Sequence, residues 1–318
     1  MIHISMLVLT SICDISRLRN KMSNNTTDIE GDHHVTFTCY STWGVPIASV
    51  NGMSLVINIL HLVVITSMRS LKNCPLKLIF IHMSLAQIGC ALGITAAYSC
   101  LPSLSIIRKL TSGFAIVAIV IEWPLFTARW IFVIASIERY YRVCKPHSYG
   151  RSMFVRRLQP VLAMAWILSF TWMIAGKGAL ALIRNKSLSS LKILRVGRII
   201  CQYLPMLIAG AMFSIVLRKL TRLPWRKASN HQNETGRFSV YFIMVYFIFN
   251  IITLFDVVPS LILIFDPHLF TFRGERLRNA VLPLYGIINI VIYATNTNGY
   301  VQRVREIFFM QNKPSEEC

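Results

Sequence analysis

Acidic residues are scarce in this chain: Asp and Glu together number 13 in 318 residues, against 33 Lys and Arg. Charged residues of either sign amount to 14% and hydrophobic ones to 54%, whereas a soluble chain carries about 25% charged residues. So thin a charge cannot cover a water-facing surface, which excludes an ordinary soluble domain. A soluble protein this basic would suggest a nucleic-acid partner. That is excluded as well, because the basic residues stand in short clusters between apolar stretches and make no continuous patch. Basic clusters at helix ends beside anionic lipid headgroups are the simpler account, and a lipid bilayer is the expected partner.

Metal-ligand spacing is lacking too. The eight cysteines (13, 39, 74, 90, 100, 144, 201 and 318) form no recurring pattern, and several lie in apolar runs where a thiol behaves as a small hydrophobe. His61 and His82 are lone histidines on different apolar stretches, more in keeping with satisfied core residues than with a metal set. No metal, cofactor or catalytic constellation is expected, and therefore no enzyme. There is no internal repeat and no sign of paired broken helices, which counts against a transporter built from repeated halves. The weak apolar run at 4–12 is too short to span and lacks a basic segment before it. Met22 offers a second possible start.

What is present is seven apolar segments of spanning length, at 45–68, 76–101, 114–137, 161–183, 199–217, 240–265 and 280–300. A helix needs roughly 20 apolar residues to cross a bilayer. None of the seven alternates as a barrel strand would, which leaves a helical bundle. The predicted fold is all-α, a seven-transmembrane-helix bundle with short links. Its expected parts are an extracellular amino-terminal segment (1–44), polar and mobile, the bundle (45–300), and a cytoplasmic tail (301–318).

Two signals orient it. Basic residues are more numerous in the links after spans 1, 3 and 5 and in the tail, which places that side in the cytoplasm. Glycosylation sequons at Asn24, Asn25 and Asn185 fall on the other side. A fourth, at Asn233, falls on the cytoplasmic side and should be unused. A multi-pass plasma-membrane protein with its amino terminus outside is expected.

Span 3 ends in Glu138-Arg139-Tyr140, with Pro146 following six residues later. Span 7 ends in Asn296-Thr297-Asn298-Gly299-Tyr300, and the residues after it, 301–309, read as a short amphipathic helix lying in the membrane surface. Asn58 stands in span 1, Ser84-Leu85-Ala86 in span 2, Trp166 in span 4, Pro205 in span 5 and Pro259 in span 6. In this order, over about four-fifths of the chain, these residues resemble the landmarks of rhodopsin-like G-protein-coupled receptors. Arg139-Tyr140 with Cys144, Tyr149 and Phe154 also resembles the melatonin-receptor-like branch.

The resemblance implies a receptor that passes the binding of an unknown extracellular ligand to a heterotrimeric G protein. It implies that Glu138, Arg139 and Tyr140 make the coupling site, that Asn58, Pro205, Pro259, Asn296 and Tyr300 belong to the conformational switch, and that 301–309 is the family's helix 8. A membrane channel or transporter without such coupling is the alternative.

Departures from the family pattern are plain. Gly89 stands where an aspartate that helps bind sodium is usual, so sodium modulation is not expected. Val257 replaces the tryptophan two residues before Pro259, and Thr297 replaces the proline of span 7. Phe114 stands where span 3 usually begins with a disulfide cysteine, and the link 184–198 has no cysteine. Cys39 with Cys100 or Cys201 could supply a substitute. Span 7 has no lysine, which excludes a covalently held retinal.

Three ionisable residues lie inside spans: Glu122, Arg129 and Asp256. Each costs several kcal/mol unless paired and is a functional candidate by default. Glu122 and Arg129, seven residues apart, share a helix face. Arg129 is expected to pair with Asp256, taking the place of the missing aromatic switch. Glu122 lies at pocket depth and suits a cationic ligand. The link 184–198 carries five Lys or Arg and no acid and favours anions. The two signals conflict, so the sequence names no ligand.

Overall fold

The computed structural model describes residues 31–68, 75–100, 111–183, 188–222, 230–265, 273–296 and 299–308. Within them, 31–45, 96–100, 111–118, 177–183, 188–192, 194, 195, 198, 230–235, 255–265, 273–280 and 296 are described by backbone alone. Asn24, Asn25 and Asn185 lie outside the described residues, and the side chains of Asp256, Pro259 and Asn296 do too.

Every element among the described residues is a helix, and none is a strand. In chain order they form α1 (Gly31–Ser67), α2 (Pro75–Cys100), α3 (Thr111–Cys144), α4 (Pro146–Tyr149), α5 (Met153–Arg156), α6 (Leu158–Ile183), α7 (Leu188–Arg222), α8 (Asn230–Phe265), α9 (Arg273–Asn296) and α10 (Tyr300–Phe308). Among them, six contain a stretch long and apolar enough to cross a membrane: Pro46–Ser67, Pro75–Thr95, Ile119–Cys144, Leu158–Gly176, Ile199–Arg222 and Gly236–Leu254. The seventh, on α9, is a shorter apolar stretch, Val281–Thr295. Seven long helices with this composition make a multi-pass membrane protein.

Two helices depart from the sequence expectation in ways that matter. α1 begins at Gly31, where a polar mobile segment was expected up to residue 44. Propagating a helix costs far less than starting one, so a span already nucleated extends into polar sequence. The chain divides into two units between Val45 and Pro46, and the packing described below lies within the second. α3 runs on to Cys144, beyond the apolar limit at 137. Glu138-Arg139-Tyr140 therefore sits inside the helix's last two turns, with a rigid backbone under it.

α3 is the axis of the bundle. It packs most extensively against α2 and α7, and also against α6 and α8. Its membrane window is 72% buried, against 28% for those of α6 and α7, and that contrast separates a central helix from peripheral ones. Apolar side chains line the outside: Leu207 is 71% exposed and Val291 57%. A soluble monomer would not leave rows of this kind in water, whereas lipid tails are their natural solvent.

Two aromatic clusters fill the interior. Phe132 (α3), Phe213 (α7), Tyr246 and Phe249 (α8) and Tyr285 (α9) meet at mid-bundle. Phe80 (α2), Tyr241 and Phe242 (α8), Tyr293 (α9), His61 (α1) and Tyr300 (α10) meet toward the Arg139 end. Ring pairs in edge and offset geometry contribute about 0.5–1.5 kcal/mol each beyond their burial. They tie α8 to α2, α3, α7 and α9.

Candidate coupling site

At the end of α3, Glu138 and Arg139 are both fully buried and form an ion pair in which Arg139 Nε donates to Glu138 Oε2. Neighbours in sequence on a helix point in different directions, so this contact requires the arginine to fold back along the helix. Phe242 of α8 lies over its guanidinium, 6.0 Å from the ring centroid. Arg139 Nη1 has no hydrogen-bond partner among the described residues.

The other carboxylate oxygen of Glu138 is taken by Tyr149, whose hydroxyl donates to Oε1 at 2.6 Å. Tyr149 reaches it because Pro146 starts the single turn α4 directly after α3. Proline presets φ for a first helical position, and the turn folds Tyr149 back over a residue eleven positions earlier. Arg142 supports both, 3.9 Å from Glu138 Oε1 and 5.2 Å above the Tyr149 ring. Burial first, and the Glu138 carboxylate second, raise the Tyr149 hydroxyl well above its usual range, so it stays a donor at any cellular pH. Tyr140 is half-buried beside Tyr141, with the Lys145 ammonium 5.8 Å from its ring centroid.

Asn58 is buried on α1, its Nδ2 donating to Ser54 O at 2.7 Å, and Ser54 Oγ donates to Pro283 O on α9 at 3.2 Å. Gly286 of α9 lies against this pair: a Cβ there would stand 2.7 Å from Asn58 Nδ2 and 3.1 Å from Ser54 Oγ. Replacing Gly286 by alanine should destabilise the bundle by about 1–3 kcal/mol, visible as a lowered melting temperature in detergent.

Asn296 and Tyr300, read from the sequence as one motif, fall on different helices. α9 ends at Asn296, Gly299 turns the chain with φ 80, and Tyr300 opens α10. A left-handed φ suits glycine because it has no Cβ to clash. Tyr300 is buried, and its hydroxyl lies 2.7 Å from His61 Nδ1. Arg303 Nε donates to Ser67 Oγ at 3.2 Å, so α10 is fastened to the end of α1.

Inside α9, two turns earlier, stand residues that the sequence reading passed over. Asn289 is buried and its Oδ1 accepts from the Tyr241 hydroxyl of α8. Tyr293 is buried between His61, Phe80, Tyr241 and Tyr300. Asn289 and Tyr293 have the same spacing as Asn296 and Tyr300, which is the signal that could have found them.

The histidines behave as core residues. His61 meets Tyr300, and His82 Nδ1 accepts from Trp166 Nε1 at 3.0 Å. Trp166 also offers its carbonyl to Trp123 Nε1 at 3.1 Å. Among the described residues no group of three His, Cys, Asp or Glu could hold a metal ion.

Gly89 is half-buried, and a Cβ there would meet the Pro124 ring of α3 at 3.0 and 3.3 Å. Cys201 is a free thiol. Cys39 and Cys100 are described by backbone alone.

At mid-bundle, Arg129 is 1% exposed. Its guanidinium lies 4.6 Å above the Tyr203 ring, with Nη1 donating to Gln202 O at 3.4 Å and Nη2 to the Tyr203 hydroxyl at 3.5 Å. Both partners stand just before Pro205 on α7, and Pro205 is buried. Glu122 is half-buried two turns away on α3.

No protein-family model matches the chain, and no curated protein matches it. Among solved structures, the chain is similar to squid rhodopsin, with a TM-score of 0.64 over 86% of each chain at 15% identity. The fold is therefore that of a rhodopsin-like seven-helix bundle. The melatonin-receptor-like branch draws no support from these comparisons, and neither does the channel or transporter alternative.

Proposed function

We propose that the chain is a cell-surface receptor that carries the binding of an extracellular ligand to a cytoplasmic heterotrimeric G protein. The observation that carries this reading is the buried Glu138–Arg139 pair at one end of α3, roofed by Phe242 and closed by Tyr149. A fully buried ion pair is costly to hold, and a lipid-snorkelling arginine would not be drawn back under an aromatic ring. What the arrangement suits is a cation kept covered in one state and released in another. The rhodopsin-like fold agrees with it.

In this reading the Arg139 end faces the cytoplasm, 1–44 are extracellular, 45–300 cross the membrane, and 301–318 lie on the inner side. The basic links on the Arg139 end support that orientation. Asn24, Asn25 and Asn185 are then available to glycosylation and Asn233 is not, so glycosidase treatment should shift the protein's mobility until the first three are replaced. Asn289 and Tyr293 take the switch role first assigned to Asn296 and Tyr300, with Ile290 at the position of the family's proline. Tyr300 instead anchors helix 8. Asn58, Pro205 and Pro259 keep their switch roles.

The test is expression with a panel of G proteins, with basal and ligand-stimulated nucleotide exchange measured for the wild type and Arg139→Ala. Loss of all coupling at normal surface level is expected. Unchanged signalling in the variant would refute the reading. With Gly89 in place of a carboxylate and Pro124 against it, exchanging sodium for a bulky organic cation at constant ionic strength should leave basal exchange unchanged; a several-fold change would show that sodium acts on the bundle.

A further inference from the structure

No Asp or Glu stands between Glu138 and Glu234. At the end of α3 one carboxylate therefore answers several partners. Arg139 takes one of its oxygens and Tyr149 the other, with Arg142 3.9 Å away. Arg142 is the outermost of these: its side chain is 20% exposed, whereas those of Glu138 and Arg139 are fully buried. Its Nη1 also donates to the Tyr149 hydroxyl at 3.4 Å. A second anion placed beside Tyr149 would compete with Glu138 for this arginine first.

Ser148 can become that anion. It precedes Tyr149 in the single turn α4 and is exposed, as are Lys145, Pro146 and His147 before it and Gly150 and Arg151 after it. Its backbone is fixed, the N–H donating to Lys145 O at 3.0 Å and the carbonyl accepting from Arg151 N at 3.2 Å. The hydroxyl is thus presented on a held turn, next to the residue whose ring Arg142 covers. Cations precede it at Arg142 and Lys145 and follow it at Arg151. Protein kinases read charge patterns around the hydroxyl they modify, and this one has cations on both sides and no acid. Ser152 is half-buried at the start of α5, which leaves Ser148 as the exposed serine of this link.

We propose that Ser148 is a phosphorylation site for a kinase that reads basic sequence, and that its phosphate draws Arg142 off Glu138 and Tyr149. The reaction passes the γ-phosphoryl group of a magnesium-bound nucleoside triphosphate to Ser148 Oγ. The new O–P bond replaces the bond to the β,γ-bridging oxygen, the nucleoside diphosphate leaves, and the hydroxyl proton goes to the kinase's base. Phosphoserine carries a charge of about −1.5 to −2 and three acceptor oxygens, which a guanidinium fork binds at two points. Glu138 has a single charge and already serves Arg139 and Tyr149, so it loses the competition for Arg142. Its carboxylate is then short of one cation and close to a new anion, and the closed arrangement weakens. The site deepens the receptor reading and rests on it for the kinase's access from the cytoplasm and for the signalling consequence. The pairing of phosphate with Arg142 is measured without any G protein.

The experiment uses full-length protein in lipid nanodiscs, which leave both faces open. Two purified kinases selective for basic sequences, supplied with magnesium ATP, should place phosphate on Ser148, located by mass spectrometry of its peptide. Ser148→Ala should lose that phosphate and keep wild-type basal exchange. For a form modified at one site only, phosphoserine is incorporated at position 148 during translation. Its phosphorus NMR signal should titrate with a midpoint below about 5.5, against about 6 for free phosphoserine, because a paired arginine favours the dianion. Arg142→Gln should bring the midpoint back toward the free value. Basal nucleotide exchange should rise about threefold on phosphorylation, the weight of one partly exposed ion pair, and should not rise in the Arg142→Gln background.

No phosphate on Ser148 from either kinase overturns the site. A midpoint that Arg142→Gln leaves unmoved overturns the pairing. If Arg142→Gln does not fold, Arg142→Lys, which keeps the charge and loses the fork, is read in its place. A lowered midpoint that depends on Arg142, with no exchange on any G protein, upholds the site and sinks the receptor reading, so the two failures are told apart.

Discussion

Glu138→Gln should raise basal nucleotide exchange by about an order of magnitude or more while leaving the bundle folded. The glutamine keeps nearly the same shape and still accepts the Tyr149 hydroxyl, but it carries no charge for Arg139. Removing one partner of a buried ion pair costs about 3–5 kcal/mol, and the cost falls on the closed state, where Arg139 is sealed from water. In the open state the guanidinium is hydrated and loses little. If only about 1.4 kcal/mol of that difference appears between the two states, the open population rises tenfold. Tyr149→Phe should move in the same direction by less, since the carboxylate still pairs with Arg139 and loses one hydrogen bond of two. The ordering, Glu138→Gln above Tyr149→Phe above wild type at matched surface level, is the informative result. A Glu138→Gln protein with wild-type basal exchange would mean that the pair is a structural fastening without a switching role.

The bundle was legible in the sequence because a bilayer imposes a length and an apolar composition on every span. Residue periodicity added little, and the limits of the spans were the weak point. Helices outrun their apolar stretches, as α3 does by carrying Glu138-Arg139-Tyr140 inside its final turns and α1 by starting at Gly31. Glu138 and Arg139 were legible because, with Tyr140 and Pro146, they resemble a family motif at the end of span 3. Tyr149 enters the sequence pattern only as part of a family spacing, and its bond to Glu138 depends on a turn that no sequence pattern measures.

Asn289 and Tyr293 were missed for a sharper reason. Two Asn–Tyr pairs of identical spacing follow one another seven residues apart, which is two helical turns, so both fall on the same face. The usual proline, which would have chosen between them, is absent from both. Only the turn at Gly299 and the burial of Asn289 and Tyr293 separate a pair inside the bundle from a pair that bridges two helices. Gly89 was recognised as a departure, but that Pro124 stands against it needed two helices side by side.

Arg129→Asp should abolish surface expression, and Asp256→Arg should do the same, while the two together restore it. Arg129 sits where a cation is favoured from several directions, over the face of an aromatic ring and beside a backbone carbonyl. A carboxylate in the same place meets the negative face of the Tyr203 ring and the Gln202 carbonyl with nothing to donate, in a medium where a central charge already costs about 2.5–3.5 kcal/mol. Asp256 stands three residues beyond Thr253 on α8, one turn on, and Thr253 is the residue whose carbonyl takes the Tyr203 hydroxyl. Residues three apart on a helix are neighbours on its surface, which is the basis for testing position 256 against Arg129. If the two charges answer each other, exchanging them keeps the sum of the site at zero and costs only the loss of the tyrosine contact, so the double variant should reach the surface at a sizeable fraction of the wild-type level. Expression that stays lost in the double variant would remove the pairing of Arg129 with Asp256.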